Sequence, residues 1–166
     1  MKDLDIQSTK KRGPVIKAQL FVNEKGIKKV NLLPATSTDS FEYEIIEERP
    51  APHVKDLIEK WLESYCKGRP PKVILPIVLE GLPPYTTRIL SILRDLPVGV
   101  ILTYQQLAEI TDNPLGARAV GNACARNPCP LIIPCHRVLA KGGRIGGFSG
   151  GIDIKRLLLN FEGVNI

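Results

Sequence analysis

Long apolar segments are absent from this sequence. The longest apolar run, residues 73–79, is interrupted by Pro76, whereas a membrane-spanning helix needs about 20 apolar residues. Residues 1–14 carry charges of both signs and no apolar core, so we expect no secretory signal, no membrane partner and a cytoplasmic location. Because that compartment is reducing, the four cysteines are expected to be thiols.

The composition also excludes disorder and a fibrous repeat. Hydrophobic residues make up 43% and charged residues 24% of the 166 positions, which is typical of a globular protein. A chain of this length forms one ordinary domain or two small ones, and it buries roughly 70% of the surface that it exposes when unfolded. We therefore expect a monomer that folds without a partner.

Acidic side chains are scarce in one part of the chain. Lysine and arginine total 23 against 17 aspartates and glutamates, a formal net charge of +6. The segment 113–156 holds seven basic residues against Asp153 alone, whereas residues 1–80 hold 14 basic and 12 acidic side chains. A surplus spread over the surface serves solubility, but a surplus concentrated in one segment favours an anionic partner.

The N-terminal half has the patterns of a small sheet with one helix. Two runs rich in β-branched residues, 15–22 and 27–33, flank the turn sequence NEKG at 23–26 and predict a hairpin. Alternation at 41–46 predicts a third strand, and the apolar spacing at 53–66 predicts an amphipathic helix that ends at Gly68. Residues 73–79 are expected to be a short strand or an extended linker.

A cluster of helix and strand breakers, GLPP at 81–84, separates this half from a helical one, and we predict domains at 1–80 and 81–166. A helix is predicted at 86–96 with Thr86 or Thr87 as its cap, and another at 104–110 capped by Thr103. A small-residue helix at 116–125 follows a turn at 111–114. The overall class is α+β, with an N-terminal α/β domain and a mostly helical C-terminal domain that contains a helix-turn-helix.

The second helix of that pair carries little side-chain bulk. Five of the nine residues 117–125 are alanine or glycine, so the backbone can approach a partner closely. Arg118, Asn122 and Arg126 can lie opposite Val120 and Cys124, which suits a helix that binds a polyanion. Two packed helices joined by a turn also occur in many proteins that bind no nucleic acid, so both interpretations stay open.

The residues with the strongest chemical signal are PCHRV at 134–138. An ordinary cysteine, with a pKa of about 8.5, is mostly protonated at neutral pH and needs a nearby base or cation to act as a nucleophile. His136 and Arg137 are candidates to help Cys135, through water or a bent backbone, because side chains adjacent in sequence point in different directions. The alternative is a buried structural cysteine beside an incidental histidine.

Other kinds of site fit this region less well. A metal site built from Cys124, Cys129, Cys135 and His136 would need spacings that match no familiar zinc knuckle. A cysteine protease would need a distant histidine, for which only His53 remains. The glycine-rich stretch 142–151 lacks the residue order of a phosphate-binding loop, and we interpret it as a flexible loop close to a flat ligand.

The C-terminal half resembles a known family in a series of motifs. They are TYQQLA at 103–108, RNP at 126–128, PCHRV at 134–138, GFSGG at 147–151 and the pair Glu162-Gly163. In this order, from about Tyr85 to Gly163, they resemble the O6-alkylguanine-DNA alkyltransferases, also called methylated-DNA-protein-cysteine methyltransferases. The N-terminal hairpin and helix are compatible with the ribonuclease-H-like domain of those proteins.

The resemblance implies a single-use DNA repair enzyme that needs no cofactor. Cys135 would take the alkyl group from O6-methylguanine, and also from O4-methylthymine, in double-stranded DNA and keep it as S-alkylcysteine. His136 would act as base through a water, and Glu162 would orient the imidazole in a relay that accounts for a thiolate at neutral pH. Tyr104 would donate to guanine N3, and Asn127 would tie the helix-turn-helix to the active-site segment.

The resemblance also places the DNA on the helix-turn-helix. Arg118 would enter the duplex from the minor groove and occupy the space of the flipped nucleotide, because chemistry on a stacked base requires its extrusion. Further DNA contacts are expected from Thr87, Gln105, Asn113, Arg126 and Lys141. The loop that closes over the base would contain Phe148, Ser149 and Gly150, with Phe148 in place of the tyrosine of some relatives.

Two expectations concern variation within the family. Some members bind structural zinc through cysteines and histidines of the N-terminal domain, but here that domain holds only His53 and Cys66, so no metal is expected. Cys135 stands where damage-recognition relatives carry tryptophan, which favours an active acceptor. The competing hypothesis is a non-catalytic helix-turn-helix DNA-binding protein in which Cys135 is structural.

Overall fold

The computed structural model describes residues 5–11, 13–49 and 51–166. Residues 1–4, 12 and 50 lie outside the described residues. Residues 1–4 and 12 belong to the stretch from which we expect no secretory signal. Two compact units are seen, Met1–Val78 and Leu79–Ile166. The assignment of domains to 1–80 and 81–166 stays a prediction. Within the described ranges, every helix is too short or too polar to cross a bilayer.

The first unit contains a four-stranded mixed sheet and one helix. Its elements are β1 (Asp5–Lys11), β2 (Ile16–Asn23), β3 (Gly26–Pro34), β4 (Phe41–Glu47) and α1 (Pro52–Cys66). The spatial order is β1-β4-β2-β3, in which β4 runs parallel to β2 and the two outer pairs are antiparallel. The predicted hairpin, third strand and helix are confirmed, whereas β1 has no counterpart among the predicted elements. The ribonuclease-H-like description of this unit stays a prediction.

Close contact between two backbones fixes the hairpin turn of this unit. Gly26 has φ 143°, and a Cβ atom there would lie 2.4 Å from the carbonyl oxygen of Pro76, so only glycine fits. The amide of Ile27 donates to that carbonyl at 2.9 Å, and the amide of Val78 donates to the carbonyl of Ile27 at 2.9 Å. The segment at 73–79 is therefore extended and meets β3 at a single bridge, Ile27 to Ile77.

The second unit contains four helices and a short parallel ladder. Its elements are α2 (Pro84–Arg94), β5 (Leu102–Thr103), α3 (Tyr104–Ile110), α4 (Ala117–Ala125), β6 (Val138–Leu139) and α5 (Ile152–Phe161). Helix α4 packs against both α2 and α3, and β5 pairs in parallel with β6. Two single turns of 3-10 helix, Cys135–Arg137 and Lys141–Gly143, flank β6. Together the two units form a mixed α/β fold.

The predicted cap of α3 is confirmed, whereas the predicted caps of α2 are not. The hydroxyl of Thr103 accepts a hydrogen bond from the amide of Gln106 at 3.1 Å, and the Gln106 side chain accepts from the amide of Thr103 at 2.8 Å. This capping box confirms the predicted cap of α3. The predicted caps of α2 are wrong, because the helix already begins at Pro84, whose fixed φ suits a first helical position. Thr86 is buried inside the helix.

The turn between α3 and α4 is tight enough to require glycine at its end. Gly116 donates its amide to the carbonyl of Asn113 at 2.8 Å. A Cβ atom on Gly116 would lie 2.9 Å from the backbone carbonyl oxygen of Asn113, and 2.1 Å from the side-chain nitrogen of the same residue. The predicted pair of helices is thus confirmed, with α4 beginning directly after this turn.

Helix α5 has no counterpart among the predicted elements. It follows the glycine-rich loop, and its buried residues are Ile154, Lys155, Leu158 and Leu159. The N-terminal part of α5 carries Lys155, and Glu162 caps its C-terminal end. Because 155 and 162 are seven residues apart, both lie on the same side of the helix, where α5 contacts the turn Cys135–Arg137.

Candidate active site

The Asn127 side chain holds the segment that leads to Cys135. Its Nδ2 donates to the carbonyl of Ile133 at 2.8 Å and to Sγ of Cys135 at 3.1 Å. Its Oδ1 accepts the amide of Cys129 at 3.0 Å. The same segment contains Leu131 with φ 76°, a conformation that is costly for a branched side chain. Asn127 therefore connects the end of α4 to the thiol through one side chain.

Cys135, His136 and Arg137 form one turn of 3-10 helix and are all buried. In such a turn successive side chains point about 120° apart. Cys135 and His136 accordingly point in different directions, and the hydrogen bond found for Sγ is the one from Asn127. A proton passing between Sγ and the imidazole would therefore need a bridging group.

Glu162 accepts hydrogen bonds from both residues that follow the cysteine. Its Oε1 lies 2.8 Å from Nε2 of His136, and Arg137 donates to Oε2 at 2.8 Å and to Oε1 at 2.9 Å. The side chains of His136 and Glu162 are fully buried. The remaining Arg137 nitrogen donates to the carbonyl of Leu96. The carboxylate is thus held between an imidazole and a guanidinium.

The charges at this cluster follow from burial and pairing. Burial alone would raise the pKa of Glu162, but the hydrogen bonds from His136 and Arg137 lower it to about 2. Burial lowers the pKa of His136, and Glu162 opposes this shift. A neutral imidazole is therefore expected, with Nε2–H donated to the carboxylate. Its Nδ1 atom has no hydrogen-bond partner within the described part of the chain, which leaves that nitrogen free to accept a proton.

Burial opposes ionisation of the Cys135 thiol in the free chain. Burial raises the pKa of Cys135, and the hydrogen bond from Asn127 and the charge of Lys155 oppose this shift without overcoming it. The thiolate expected at neutral pH stays a prediction, and desolvation works against it in the free chain. Proton removal would have to accompany the reaction. Burial also raises the pKa values of Cys124 and Cys129, each to about 12, so these thiols are poor nucleophiles.

Cys135 opens into a cavity of about 310 Å³ within the second unit. The cavity is lined by Tyr104, Gly121, Cys124, Ala125, Cys135, Gly147, Phe148 and Ser149. The Phe148 ring meets the His136 ring edge-on, with 6.4 Å between centroids. Burial raises the pKa of Tyr104 to about 12, so its phenol remains a donor at neutral pH. The predicted Phe148 and Ser149 thus lie at the thiol, with Gly150 next to them in sequence.

A wider groove of about 730 Å³ lies over α3, α4 and the turn at 141–143. Its lining includes three of the residues predicted to bind DNA, Gln105, Arg118 and Lys141. Tyr104 and Gly121 line both this groove and the cavity at Cys135. The groove therefore leads directly to the thiol. Arg118, Gln105 and Lys141 are exposed, as a surface for a polyanion requires.

The other predicted DNA-binding residues have different positions. Thr87 lies in α2, and its hydroxyl donates to the carbonyl of Pro83 at 3.3 Å. Asn113 forms the turn before α4, and Arg126 follows the end of that helix. The structure does not gather these three residues in the groove with Arg118.

Several residues near the thiol have no signal in the sequence. Arg137 donates two hydrogen bonds to Glu162. From the sequence, Arg137 was only a candidate to assist ionisation of Cys135. Lys155 is fully buried, although a lysine in a basic segment is expected at the surface. Cys124 and Ala125 line the cavity because α4 turns its small residues toward it, which the spacing of 121, 124 and 125 could have indicated.

The alternative interpretations of the cysteines receive no support from this geometry. The four cysteines, Cys66, Cys124, Cys129 and Cys135, are buried and form no disulfide. In the ranges that the structure describes, no three histidine, cysteine, aspartate or glutamate side chains lie close enough to share a metal ion. The metal site considered for Cys124, Cys129, Cys135 and His136 therefore lacks a ligand cluster.

Comparisons with known proteins point to one family. The sequence model described as "6-O-methylguanine DNA methyltransferase, DNA binding domain" matches residues 84–164. Methylated-DNA--protein-cysteine methyltransferase of Homo sapiens is 32% identical over 177 residues, which cover 98% of this chain and 83% of that protein. The protein of the same name from Saccharolobus solfataricus is 42% identical over 105 residues, which cover 63% of this chain and 67% of that protein.

Solved structures show the same likeness. The crystal structure of Mycobacterium tuberculosis OGT in complex with DNA matches with a TM-score of 0.67 and 25% identity, over 88% of this chain and 92% of that chain. O6-methylguanine-DNA methyltransferase from Pyrococcus kodakaraensis has the same fold, with a TM-score of 0.59, 23% identity and coverage of 90% and 99%. Fold and sequence together define a mixed α/β protein with the DNA-binding domain of the 6-O-methylguanine DNA methyltransferases. The chain belongs to the methylated-DNA--protein-cysteine methyltransferase family of enzymes.

Proposed function

We propose that this protein repairs DNA by moving an alkyl group from O6 of guanine in a duplex to Sγ of Cys135, once per chain. The proposal rests on the cavity into which Cys135 opens. This cavity adjoins the groove lined by Arg118, and His136, next to Cys135, is hydrogen-bonded to Glu162. Relatives named for transfer to a protein cysteine support it. We extend the substrates to O4-methylthymine, and we propose that the protein acts as a cytoplasmic monomer.

The proposed reaction is a displacement at the alkyl carbon. Sγ of Cys135 attacks that carbon as its proton passes through a water to Nδ1 of His136, forming an S–C bond and breaking the C–O bond. The electron pair of the broken bond stays on the purine, which takes up a proton from solvent and remains in the DNA strand as guanine, while the His136 imidazolium releases its proton to solvent. Glu162 favours the imidazolium that forms, because it already accepts Nε2 of His136 at 2.8 Å. Tyr104 donates to guanine N3 and offsets the charge that develops there.

The target base must leave the stack to reach a buried thiol. We propose that α4 enters the minor groove with its alanine and glycine face and that Arg118 fills the space of the flipped nucleotide. Gln105, Lys141, Thr87, Asn113 and Arg126 would contact the strand, with the first two in the groove beside Arg118. Phe148, Ser149 and Gly150 would cover the flipped base. Asn127 would keep Cys135 in register with α4 through its bond to Sγ.

A labelled substrate tests the proposal directly. Incubation with a duplex that contains radiolabelled O6-methylguanine is expected to transfer label until about one methyl group is bound per chain, because no step restores the thiol. Peptide mass spectrometry should place the methyl group on Cys135. Sustained turnover, or label on another residue, would contradict the mechanism. DNA binding without any transfer would instead favour a non-catalytic helix-turn-helix protein.

Replacing Arg118 with alanine should weaken repair of duplex DNA selectively. Base extrusion costs a few kcal/mol, and each 1.4 kcal/mol corresponds to a factor of 10, so we expect a loss of about 10- to 100-fold on duplex substrate. Reaction with free O6-benzylguanine, which needs no extrusion, should change much less. The comparison of both rates in one protein preparation is the measurement, and equal losses would rule out a role in flipping.

A further inference from the structure

Leu115 is an apolar side chain that the described part of the chain leaves almost uncovered. Its exposed fraction is 96%, the highest of the large apolar residues that the structure describes. It lies in the turn 111–116 between α3 and α4, directly before Gly116, the N-cap of α4. Single exposed leucines are common on protein surfaces, so the position of Leu115 relative to the groove over α3 and α4 decides whether it has a partner.

The turn holds Leu115 at the rim of that groove. Ala117 and Arg118, two and three residues further on, line the groove of about 730 Å³. On the other side of Leu115, the carbonyl of Pro114 accepts a hydrogen bond from Nε2 of Gln105 at 2.8 Å, and Gln105 lines the same groove. The backbone on both sides of Leu115 is therefore attached to the groove wall.

The backbone around Leu115 is also constrained to one conformation. Pro114, with its fixed φ, precedes Leu115, and Gly116 follows it. Gly116 donates its amide to the carbonyl of Asn113 at 2.8 Å, and a Cβ atom there would lie 2.9 Å from that carbonyl oxygen. An apolar side chain on such a backbone loses little conformational entropy when a partner covers it.

The carboxylates nearest to Leu115 in sequence are each bonded within the protein. Oδ2 of Asp112 accepts a hydrogen bond from Arg88 at 3.1 Å, and Oε1 of Glu109 accepts one from Gln105 at 3.0 Å. Their pairing reduces repulsion of a polyanion at this rim. A leucine cannot bind a phosphate, but the deoxyriboses along the minor groove offer apolar surface between the phosphates.

We propose that Leu115 packs against the deoxyribose wall of the minor groove when DNA binds and thereby fixes the position of α4 on the duplex. The inference rests on the proposed function, in which α4 enters the minor groove with Arg118. The contact adds affinity for a duplex of any sequence, because every nucleotide carries the same sugar. It neutralises no phosphate, so it adds nothing to the salt dependence of binding.

Binding of an unmodified duplex, measured by fluorescence anisotropy over a range of salt concentrations, tests this contact. Leu115→Ser is expected to weaken binding about tenfold at every salt concentration, the effect of losing most of one buried leucine side chain. The slope of log affinity against log salt concentration should stay the same, because no phosphate contact is lost. Leu115→Met, which keeps an apolar side chain of similar volume, should bind like the wild type.

Ile74→Ser serves as the matched control, because it removes an apolar side chain that is 80% exposed in the unit Met1–Val78. It should bind duplex like the wild type. An unchanged affinity in Leu115→Ser would overturn the proposal, as would an equal loss in Ile74→Ser or a changed salt slope in Leu115→Ser. Free O6-benzylguanine should react with Leu115→Ser at the wild-type rate, and a slower reaction would place the effect in the fold and refute the DNA contact.

A second copy of this chain is the alternative partner for Leu115. Light scattering without DNA is expected to give the mass of a monomer, and a dimer that dissociates in Leu115→Ser would refute the proposal. NMR of the duplex complex locates the side chain directly. Intermolecular NOEs between the Leu115 methyl groups and deoxyribose protons are expected, and their absence would count against the contact as strongly as an unchanged affinity.

Failure of this inference is distinct from failure of the proposed function. If the wild type transfers methyl groups from duplex DNA and Leu115→Ser binds that duplex equally well, the repair function stands and only the leucine contact is lost. If the affinity falls as expected but the wild type transfers no methyl group, the contact stands and the repair activity is lost. A wild type that binds no duplex contradicts both.

Discussion

Replacing Cys135 with serine is expected to abolish methyl transfer while the fold is kept. Serine occupies almost the same volume, and Asn127 can donate to its hydroxyl as it does to Sγ. A serine hydroxyl is far less acidic and less nucleophilic than a thiol, and its one available base, His136, is reached only through a bridging group. Removal of a nucleophile from such a catalytic unit lowers rates by a thousandfold or more. Label transfer from O6-methylguanine duplex and thermal unfolding measure the two outcomes.

The matched control is Cys66→Ala, which removes a buried thiol from the unit Met1–Val78. It should transfer methyl groups with the wild-type stoichiometry, even if it unfolds at a slightly lower temperature. DNA affinity of Cys135→Ser, measured by fluorescence anisotropy, should remain close to that of the wild type and fall with salt. Methyl transfer that persists in Cys135→Ser would show that another residue is the acceptor.

Replacing Glu162 with alanine should have the largest effect on stability. The substitution leaves the buried Arg137 guanidinium with one acceptor, the carbonyl of Leu96, and leaves Nε2 of His136 without its carboxylate. Breaking a buried ion pair from one side typically costs about 3–5 kcal/mol, which for a chain of this size lowers the melting temperature by roughly 10 °C. Methyl transfer should slow as well, because the imidazole loses its orientation. Differential scanning calorimetry and the transfer assay follow both effects.

The control for Glu162 is an exposed carboxylate. Glu48 pairs with Lys28 at 2.9 Å, with side chains 45% and 40% exposed, and such a pair contributes less than about 1 kcal/mol. Glu48→Ala should therefore melt close to the wild type. Equal melting temperatures for Glu162→Ala and Glu48→Ala would show that the buried cluster does not stabilise the fold.

The pH dependence of stability provides a second signature of Glu162. Its pKa is lowered in the folded chain from 4.5 to about 2, so its contribution is complete above pH 4.5 and is lost as the pH falls toward 2. The stability difference between wild type and Glu162→Ala should accordingly narrow over that interval. A difference that stays constant from pH 6 to pH 2 would contradict the pairing with His136 and Arg137.

The sequence predicted those elements whose signals are local. The cap of α3 at Thr103, the hairpin turn that ends at Gly26 and the stripe of α1 each depend on residues a few positions apart. Glu162 was joined to the site only by the family resemblance, whereas the motif at 134–138 by itself indicated Cys135 and His136. These features need no information about distant parts of the chain.

The remaining elements depend on contacts that the sequence does not express. Helix α5 buries Lys155 on the same face as Leu158, and a lysine within the apolar stripe hides the helical period. Strand β1 is recognisable only through its pairing with β4. The raised pKa of Cys135 follows from burial by several elements, whereas the adjacent histidine and arginine suggest the opposite shift. The direction of this pKa shift therefore depends on the burial of the thiol and could not be read from its sequence neighbours.

The parallel ladder of β5 and β6 sets the register of the active site. Leu102 pairs with Val138 and Thr103 with Leu139, so Tyr104 begins one step beyond this ladder and Arg137 ends one step before it. A slip of one residue along either strand would move the phenol relative to the thiol by about 3.3 Å and turn the strand's side chains to the opposite face. Four residues of pairing thus align two segments more than 30 positions apart in the chain, and an insertion between Thr103 and Tyr104 would displace the phenol from the thiol.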